Sequence, residues 1–304
     1  KNYRSSSLAP DVQLQIGRFY YADKDYKRAI SEFQKVIKQY PNTPSAWLAK
    51  YNIGKSYLML GSYKQSIEAF SQVDPKSEFS ASAMFEIGNA WYSKRNSRRN
   101  LTNAINILTD IPQKHPKSPF VARALLLAGE CYQEMIQWQK AIDLYNRVLS
   151  YYPQSDQAEY AQISLGHSYK AQKNFLQAIE AYDVIRKKGT DRYRIEIVVD
   201  AELHLAETQA ILGRHYDSGV TYLRVRHLRE QHDSLTAFHA AVRAADAFIK
   251  ADEIYMAKDT CEDALSLFEA KISTADAQKR EEWDQLHEYA QNKYKQILSQ
   301  IEQQ

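Results

Sequence analysis

Residue types that carry chemistry are present, but few of them stand at spacings that chemistry needs. Ile53-Gly54-Lys55-Ser56 has the ending of a phosphate-binding loop, yet the earlier glycine of such a loop is Ala49 here. That loop must also follow a strand, whereas the surroundings of Gly54 have helical spacing. No Gly-x-Ser-x-Gly elbow and no His-Glu-x-x-His pair occurs in the chain. His227, His232 and His239 are close in sequence, but steps of five and seven across an expected turn do not put three imidazoles on one helical face. Solvated or partly packed histidines are expected there. Cys131 and Cys261 fall inside helical patterns, 130 positions apart, and suit two small buried apolar side chains better than one thiol site or a disulfide framework. The expectation is a chain with no catalytic residues, no cofactor-binding residues, no metal ligands and no cofactor, and therefore not an enzyme.

The elements that position these residues follow from composition. The chain has 304 residues, is 44% hydrophobic, and contains only nine glycines and eight prolines. That apolar content is too high for disorder, and so few turn residues do not serve a many-turned β-sandwich. No apolar run approaches the roughly 18 residues needed to cross a bilayer. A mostly helical protein is expected. The net charge of +3 describes neither a polycation nor an acidic chain. Three basic runs stand out: Lys94 to Arg99, Arg186-Lys187-Lys188 with Arg192 and Arg194, and Arg224, Arg226 and Arg229. Each lies at an expected turn or joint among carboxylates, which suits solvated loops; a nucleic-acid or anionic-surface contact is the alternative. The sequence begins with Lys1, so a leader, lipid anchor or upstream domain is expected to have been removed, and residues 1–9 are expected to form a flexible tether.

Internal similarity dominates the sequence. Gly17, Gly54, Gly88, Gly129 and Gly166 each have an aromatic three places later. Nine after the glycine stands Tyr26, Tyr63, Trp138 or Phe175; twelve after, Ala29, Ser66, Ala141 or Ala178; sixteen after, Phe33, Phe70, Tyr145 or Tyr182. Pro41 and Pro153 follow at twenty-four. The copy at Gly88 has four extra residues before its Ala104, Leu108 and Pro116, and a longer hairpin turn at Lys94 to Arg99 is expected. Two weaker copies are anchored on Ala206 (with Gly213, Ser218 and Tyr222) and Ala245 (with Phe248, Ala257 and Cys261). From anchor to anchor the steps are 37, 34, 41, 37, 40 and 39 residues, which gives seven copies. Each copy is expected to be two amphipathic helices, with small residues where they cross and aromatics beside the crossing. Proline ends the second helix, and Thr43, Ser118 or Ser155 is placed to cap the next one.

This pattern of Leu/Ile-Gly-x-x-Tyr, then Ala, then Phe/Tyr, then Pro resembles the tetratricopeptide repeat (TPR), over roughly residues 10 to 268. The joints Tyr40-Pro41-Asn42-Thr43-Pro44, His115-Pro116-Lys117-Ser118-Pro119 and Tyr152-Pro153-Gln154-Ser155 resemble those of TPR proteins of Gram-negative envelopes, such as the outer-membrane assembly TPR lipoprotein and the periplasmic TPR partner of the Tol–Pal system. The resemblance implies an all-α, α-α superhelix of about seven repeats over residues 10–272; residues 273–304 depart from the repeat and are expected to form an amphipathic capping helix, with a coiled-coil or helix-in-groove contact with a partner as the alternative. Trp283, Leu286, Ala290, Tyr294, Ile297 and Ile301 give that last helix its apolar stripe.

What the resemblance implies for function is a non-catalytic scaffold that binds a protein or peptide segment on the concave wall formed by the first helix of each pair. Nucleic acid is not the expected partner. Carried onto this sequence, the wall is Arg18 and Tyr21; Asn52, Lys55 and Leu58; Glu86, Asn89 and Tyr92; Glu130 and Gln133; His167 and Lys170; His204 and Glu207. The carboxylate clamp of TPR receptors for chaperone tails is not matched in the first three copies, where Leu14, Arg18, Asn52, Ser82 and Glu86 occupy its positions. The joints imply a bacterial envelope setting, periplasmic or outer-membrane-associated, with a cytoplasmic one as the alternative. Docking part of a larger multidomain chain is a further alternative.

Overall fold

The computed structural model describes residues 8–230, 233–272 and 279–303. Among them are fifteen helices and no strand. Fourteen follow one another as antiparallel pairs: α1 (Ala9–Ala22) and α2 (Tyr26–Gln39), α3 (Pro44–Met59) and α4 (Tyr63–Ser71), α5 (Ser80–Ser93) and α6 (Arg98–Lys114), and α7 (Phe120–Glu134) and α8 (Trp138–Tyr151). Then come α9 (Asp156–Ala171) and α10 (Phe175–Arg192), α11 (Ile195–Ile211) and α12 (His215–Arg229), and α13 (Ser234–Lys250) and α14 (Ile254–Lys271); α15 (Arg280–Glu302) is last. The chain divides into two compact units, Lys1–Ala158 and Glu159–Gln304. Each is a helical solenoid, in which a helix packs on its sequence neighbours because no pair can bury its apolar face alone.

The spacing that defines the copies is a packing code. Ala29, Ser66, Ala104, Ala141, Ala178, Ser218 and Ala257 are all fully buried where paired helices cross. Two serines at this position use their hydroxyls: Ser66 Oγ donates to the Gly54 carbonyl at 2.9 Å, and Ser218 Oγ to the Ala206 carbonyl at 2.8 Å. The anchor glycines face large side chains sixteen places on. A Cβ built on Gly17, Gly54, Gly129 or Gly166 would stand 2.4 to 2.7 Å from the ring of Phe33, Phe70, Tyr145 or Tyr182. In the Gly88 copy the partner is Leu108, at 2.5 Å. Where the anchor becomes Ala245, the opposing residue shrinks to Cys261, and both belong to one buried cluster.

The turns hold a second regularity. Seven residues after the anchor the backbone is left-handed, with φ between 60° and 74°, at Lys24, Gly61, Ile136, Lys173, Gly213 and Asp252. Only two of these are glycine. The Gly88 copy departs from the expected longer hairpin. Its turn is residues 94–97, one more than the three residues of its neighbours, and the other extra residues extend the start of α6, which runs 17 residues against 14 in α2 and α8. A helix adds one hydrogen bond per residue fixed, so extending α6 satisfies backbone groups that a loop would leave to water. Ser97 Oγ caps it by accepting from the Asn100 amide, and Asn100 Nδ2 ties back to the Lys94 carbonyl at 2.5 Å.

The prolines act as stops. Tyr40, His115 and Tyr152 are C-caps with φ near −130°, each directly before Pro41, Pro116 or Pro153. Thr43 Oγ1 accepts from the Ala46 amide and Ser118 Oγ from the Phe120 amide, whereas Ser155 Oγ donates to the Tyr152 carbonyl. In the proline-free joint near Gly189 a different device appears: Gly189 breaks α10 with φ 54° and ψ −151°. At the chain start α1 already begins at Ala9, inside the expected tether; residues 1–7 lie outside the described ones. In the second unit α15 packs on α13 and α14, stacking Trp283 on Phe238 at 5.3 Å and burying Ala290 and Ile297.

Candidate functional site

The wall residues all sit on first helices, at positions left over once the packing code is satisfied. Arg18 is exposed and the other thirteen are part-buried. In the first unit α1, α3, α5 and α7 contact one another in order, so these residues meet across copies. Lys55 Nζ lies 5.3 Å from the centre of the Tyr21 ring. Asn89 Nδ2 donates to Glu86 Oε2 at 3.3 Å. Arg95, just past α5, covers the Tyr92 ring at 4.6 Å and reaches Glu134 at 3.7 Å. Burial raises the hydroxyls of Tyr21, Tyr51 and Tyr92 above their ordinary range, so they stay neutral donors. Burial likewise raises the Glu130 carboxyl, against the pull of Arg95.

Two wall positions depart from free surface. Gln133 Oε1 accepts the Tyr145 hydroxyl at 2.8 Å, so this side chain anchors the ring that faces Gly129. Asn52 Nδ2 is a buried donor with no hydrogen-bond partner among the described residues.

In the second unit the wall is a compact charged cluster. Lys170 Nζ donates to Glu207 Oε2 at 2.6 Å and lies 3.1 Å from His204 Nδ1. Arg243 Nη1 holds the other oxygen of Glu207 at 3.1 Å. Asp200 faces both imidazoles, with Oδ2 at 3.5 Å from His167 Nε2 and Oδ1 at 3.4 Å from His204 Nε2. The two rings meet edge to face at 4.5 Å, beside Tyr182. Burial, together with His204 beside it, pushes the His167 imidazole down to about 4, so it is neutral at pH 7. His204 and then Lys170 hold Glu207 far below the ordinary carboxylate range. A cavity of about 260 Å³ opens here, lined among others by Asp200, His204, Glu207, His239 and Arg243.

Sequence reasoning named His167, Lys170, His204 and Glu207 but missed Asp200 and Arg243. Arg243 stands two before its anchor Ala245, the offset that selected His204 before Ala206, so extending the pattern by one copy would have found it. Among the described residues, His167, Asp200 and His204 are a set whose metal-binding atoms all lie within 4.8 Å of one another. Of the histidines weighed from sequence, His239 Nε2 pairs with Glu282 at 2.9 Å, His227 is on α12, and His232 lies outside the described residues.

Many basic residues at the joints have carboxylate partners. Arg192 and Arg194 reach Glu159, Arg186 pairs with Asp183 at 2.8 Å, Arg224 with the buried Glu202 at 2.9 Å, and Arg226 with Asp263 at 2.7 Å. Arg98 and Arg99 remain exposed. No helix among the described residues is long and apolar enough to cross a membrane.

Residues 11–43 and 123–155 match the family model of the tetratricopeptide repeat. The chain is also similar in fold to solved structures. The C-terminal part of a TPR repeat-containing protein from Cytophaga hutchinsonii superposes with a TM-score of 0.64 at 15% identity, covering 84% of this chain and 95% of that one. A tetratricopeptide repeat protein from Parabacteroides merdae gives 0.54 at 12% identity over 91% and 98%. The protein pilF of Pseudomonas aeruginosa gives 0.52 at 14% identity over 76% and 96%.

Proposed function

We propose that this tetratricopeptide-repeat chain is a non-catalytic scaffold that binds an extended polypeptide segment along the first-helix face, in the assembly or maintenance of a bacterial envelope complex. Such repeats make a protein-interaction scaffold; the binding face and the setting are our reading. The observation that carries it is Asn52. A buried amide donor without a partner costs roughly 1–3 kcal/mol, and Asn52, which is only part-buried as a residue, gains an acceptor if its side chain turns outward to a backbone carbonyl of a bound segment. Around it the face offers Tyr21 and Tyr92, which supply contact area with one polar end and little entropy to lose. Lys55 and Glu86 add charges of both signs, which suits a mixed polar segment better than a polyanion.

The test is selection of peptide ligands by display against the full chain, followed by affinity measurements. Asn52→Ala and Tyr92→Ala are each expected to weaken the selected peptide by roughly tenfold, while Lys64→Ala on a second helix leaves it unchanged. Ligands insensitive to both wall substitutions, or binding that falls steeply with salt and requires Arg98 and Arg99, would remove this reading. Fractionation of the native host tests the envelope setting.

A further inference from the structure

We propose that His167, Asp200 and His204 form a three-ligand site for a divalent transition-metal ion, Zn2+ foremost, with the fourth coordination position open to the cavity beside them. Asp200 and His204 are one turn apart on α11 and therefore share a face, and His167 comes from the neighbouring first helix α9. Metal–ligand bonds of about 2.1 Å in a tetrahedron place ligand atoms roughly 3.4 Å apart. Each imidazole meets a different oxygen of Asp200, His167 Nε2 at 3.5 Å from Oδ2 and His204 Nε2 at 3.4 Å from Oδ1, and the three residues offer ligand atoms within 4.8 Å of one another, so the side chains close in slightly around an ion. His167 Nε2 is buried and makes no hydrogen bond among the described residues, although Asp200 is its neighbour. A buried ring nitrogen in that condition is what a metal ligand looks like before the ion arrives.

The surrounding shell fits the same purpose. An ion on His204 Nε2 fixes the tautomer with the proton on Nδ1, and that nitrogen lies 3.1 Å from Glu207 Oε2. A carboxylate behind a ligating imidazole orients the ring and raises its basicity. Glu207 is itself held on both oxygens by Lys170 and Arg243. Lys170 faces the Nδ1 edge of His204, away from the nitrogen offered to the metal. Two imidazoles and one carboxylate favour Zn2+, Co2+ or Ni2+ over Mg2+ and Ca2+, which prefer all-oxygen sites. The adjoining cavity gives the ion a way in.

The experiment uses the full chain, stripped with a chelator and titrated with Co2+ and Zn2+ at pH 7.5. One equivalent of Co2+ is expected to give visible d–d absorption, removed by Zn2+. His167→Ala and His204→Ala are expected to weaken Zn2+ binding at least 100-fold, and Glu207→Gln 10- to 100-fold. His227→Asn on α12 is expected to leave it unchanged, with helicity by circular dichroism confirming that each variant folds. Imidazole 15N spectra of the wild-type chain provide a measurement independent of substitution: of its eight histidines, two shift when Zn2+ is added. A stoichiometry other than one, shifts spread over other histidines, or undiminished affinity in folded His167→Ala and His204→Ala would overturn the assignment.

Discussion

Replacing Gly129 by alanine tests the packing code most directly. Alanine is the better helix former by about 1 kcal/mol, so in an isolated helix the change stabilises. Here the added Cβ would stand 2.4 Å from Tyr145 Cε1, 2.9 Å from Cζ and 3.0 Å from Cδ1. Carbon atoms in contact sit roughly 3.5–4.0 Å apart, so the ring must retreat by more than about 1 Å. Tyr145 is fully buried and its hydroxyl is fixed on Gln133, so the ring has nowhere to go without losing that bond. Overpacking of this kind costs about 1–3 kcal/mol and the lost hydrogen bond about 1 more. Set against the helix gain, Gly129→Ala is expected to destabilise by about 1–3 kcal/mol, read as a lower urea midpoint by circular dichroism. On a Tyr145→Cys background, which reproduces the pairing of Ala245 with Cys261, the same change is expected to be near neutral, a coupling of similar size. Gly129→Ala as stable as the wild type, or equally damaging in both backgrounds, would refute the reasoning.

Other outcomes follow from particular residues. Ile136 is a β-branched residue held at φ 60° and is 72% exposed. Ile136→Gly is expected to raise stability by roughly 1 kcal/mol, seen as a higher melting temperature; no change would mean the turn is unstrained. Burial pushes the Cys131 thiol up to about 12 and the Cys261 thiol up to about 11, so neither is expected to react with a disulfide reagent at pH 8 until urea unfolds the chain. Rapid labelling of the native protein would contradict this. Glu130 has a folded-state pKa above its unfolded value, so its contribution to stability is present below the unfolded pKa and is lost as pH rises through the folded one. Glu130→Gln is therefore expected to raise the melting temperature at pH 7 by roughly 1–3 °C and to have little effect near pH 3.5, which thermal scans at the two pH values compare.

The sequence by itself determined the repeat. Gly at the anchor, a small residue at twelve and a ring at sixteen are local distances along two helices, and a helix carries residue spacing directly into space. Hence the pairing of helices and the proline stops were legible before any coordinates, and so was the placement of the fourteen named residues on first helices, at positions that remain when the packing residues are removed. The extra residues at Gly88 were legible as an insertion but misplaced into the turn, because composition near Arg98 does not reveal whether backbone groups find helical partners. Only tertiary structure decided which wall residues meet. Whether His167 reaches Asp200, two helices onward, depends on the rotation of one helix pair against the next, and many side chains on both pairs set that rotation together. For the same reason the left-handed conformation at Ile136 was invisible: the turn imposes it through the two helices it joins, against the preference of the residue that occupies it.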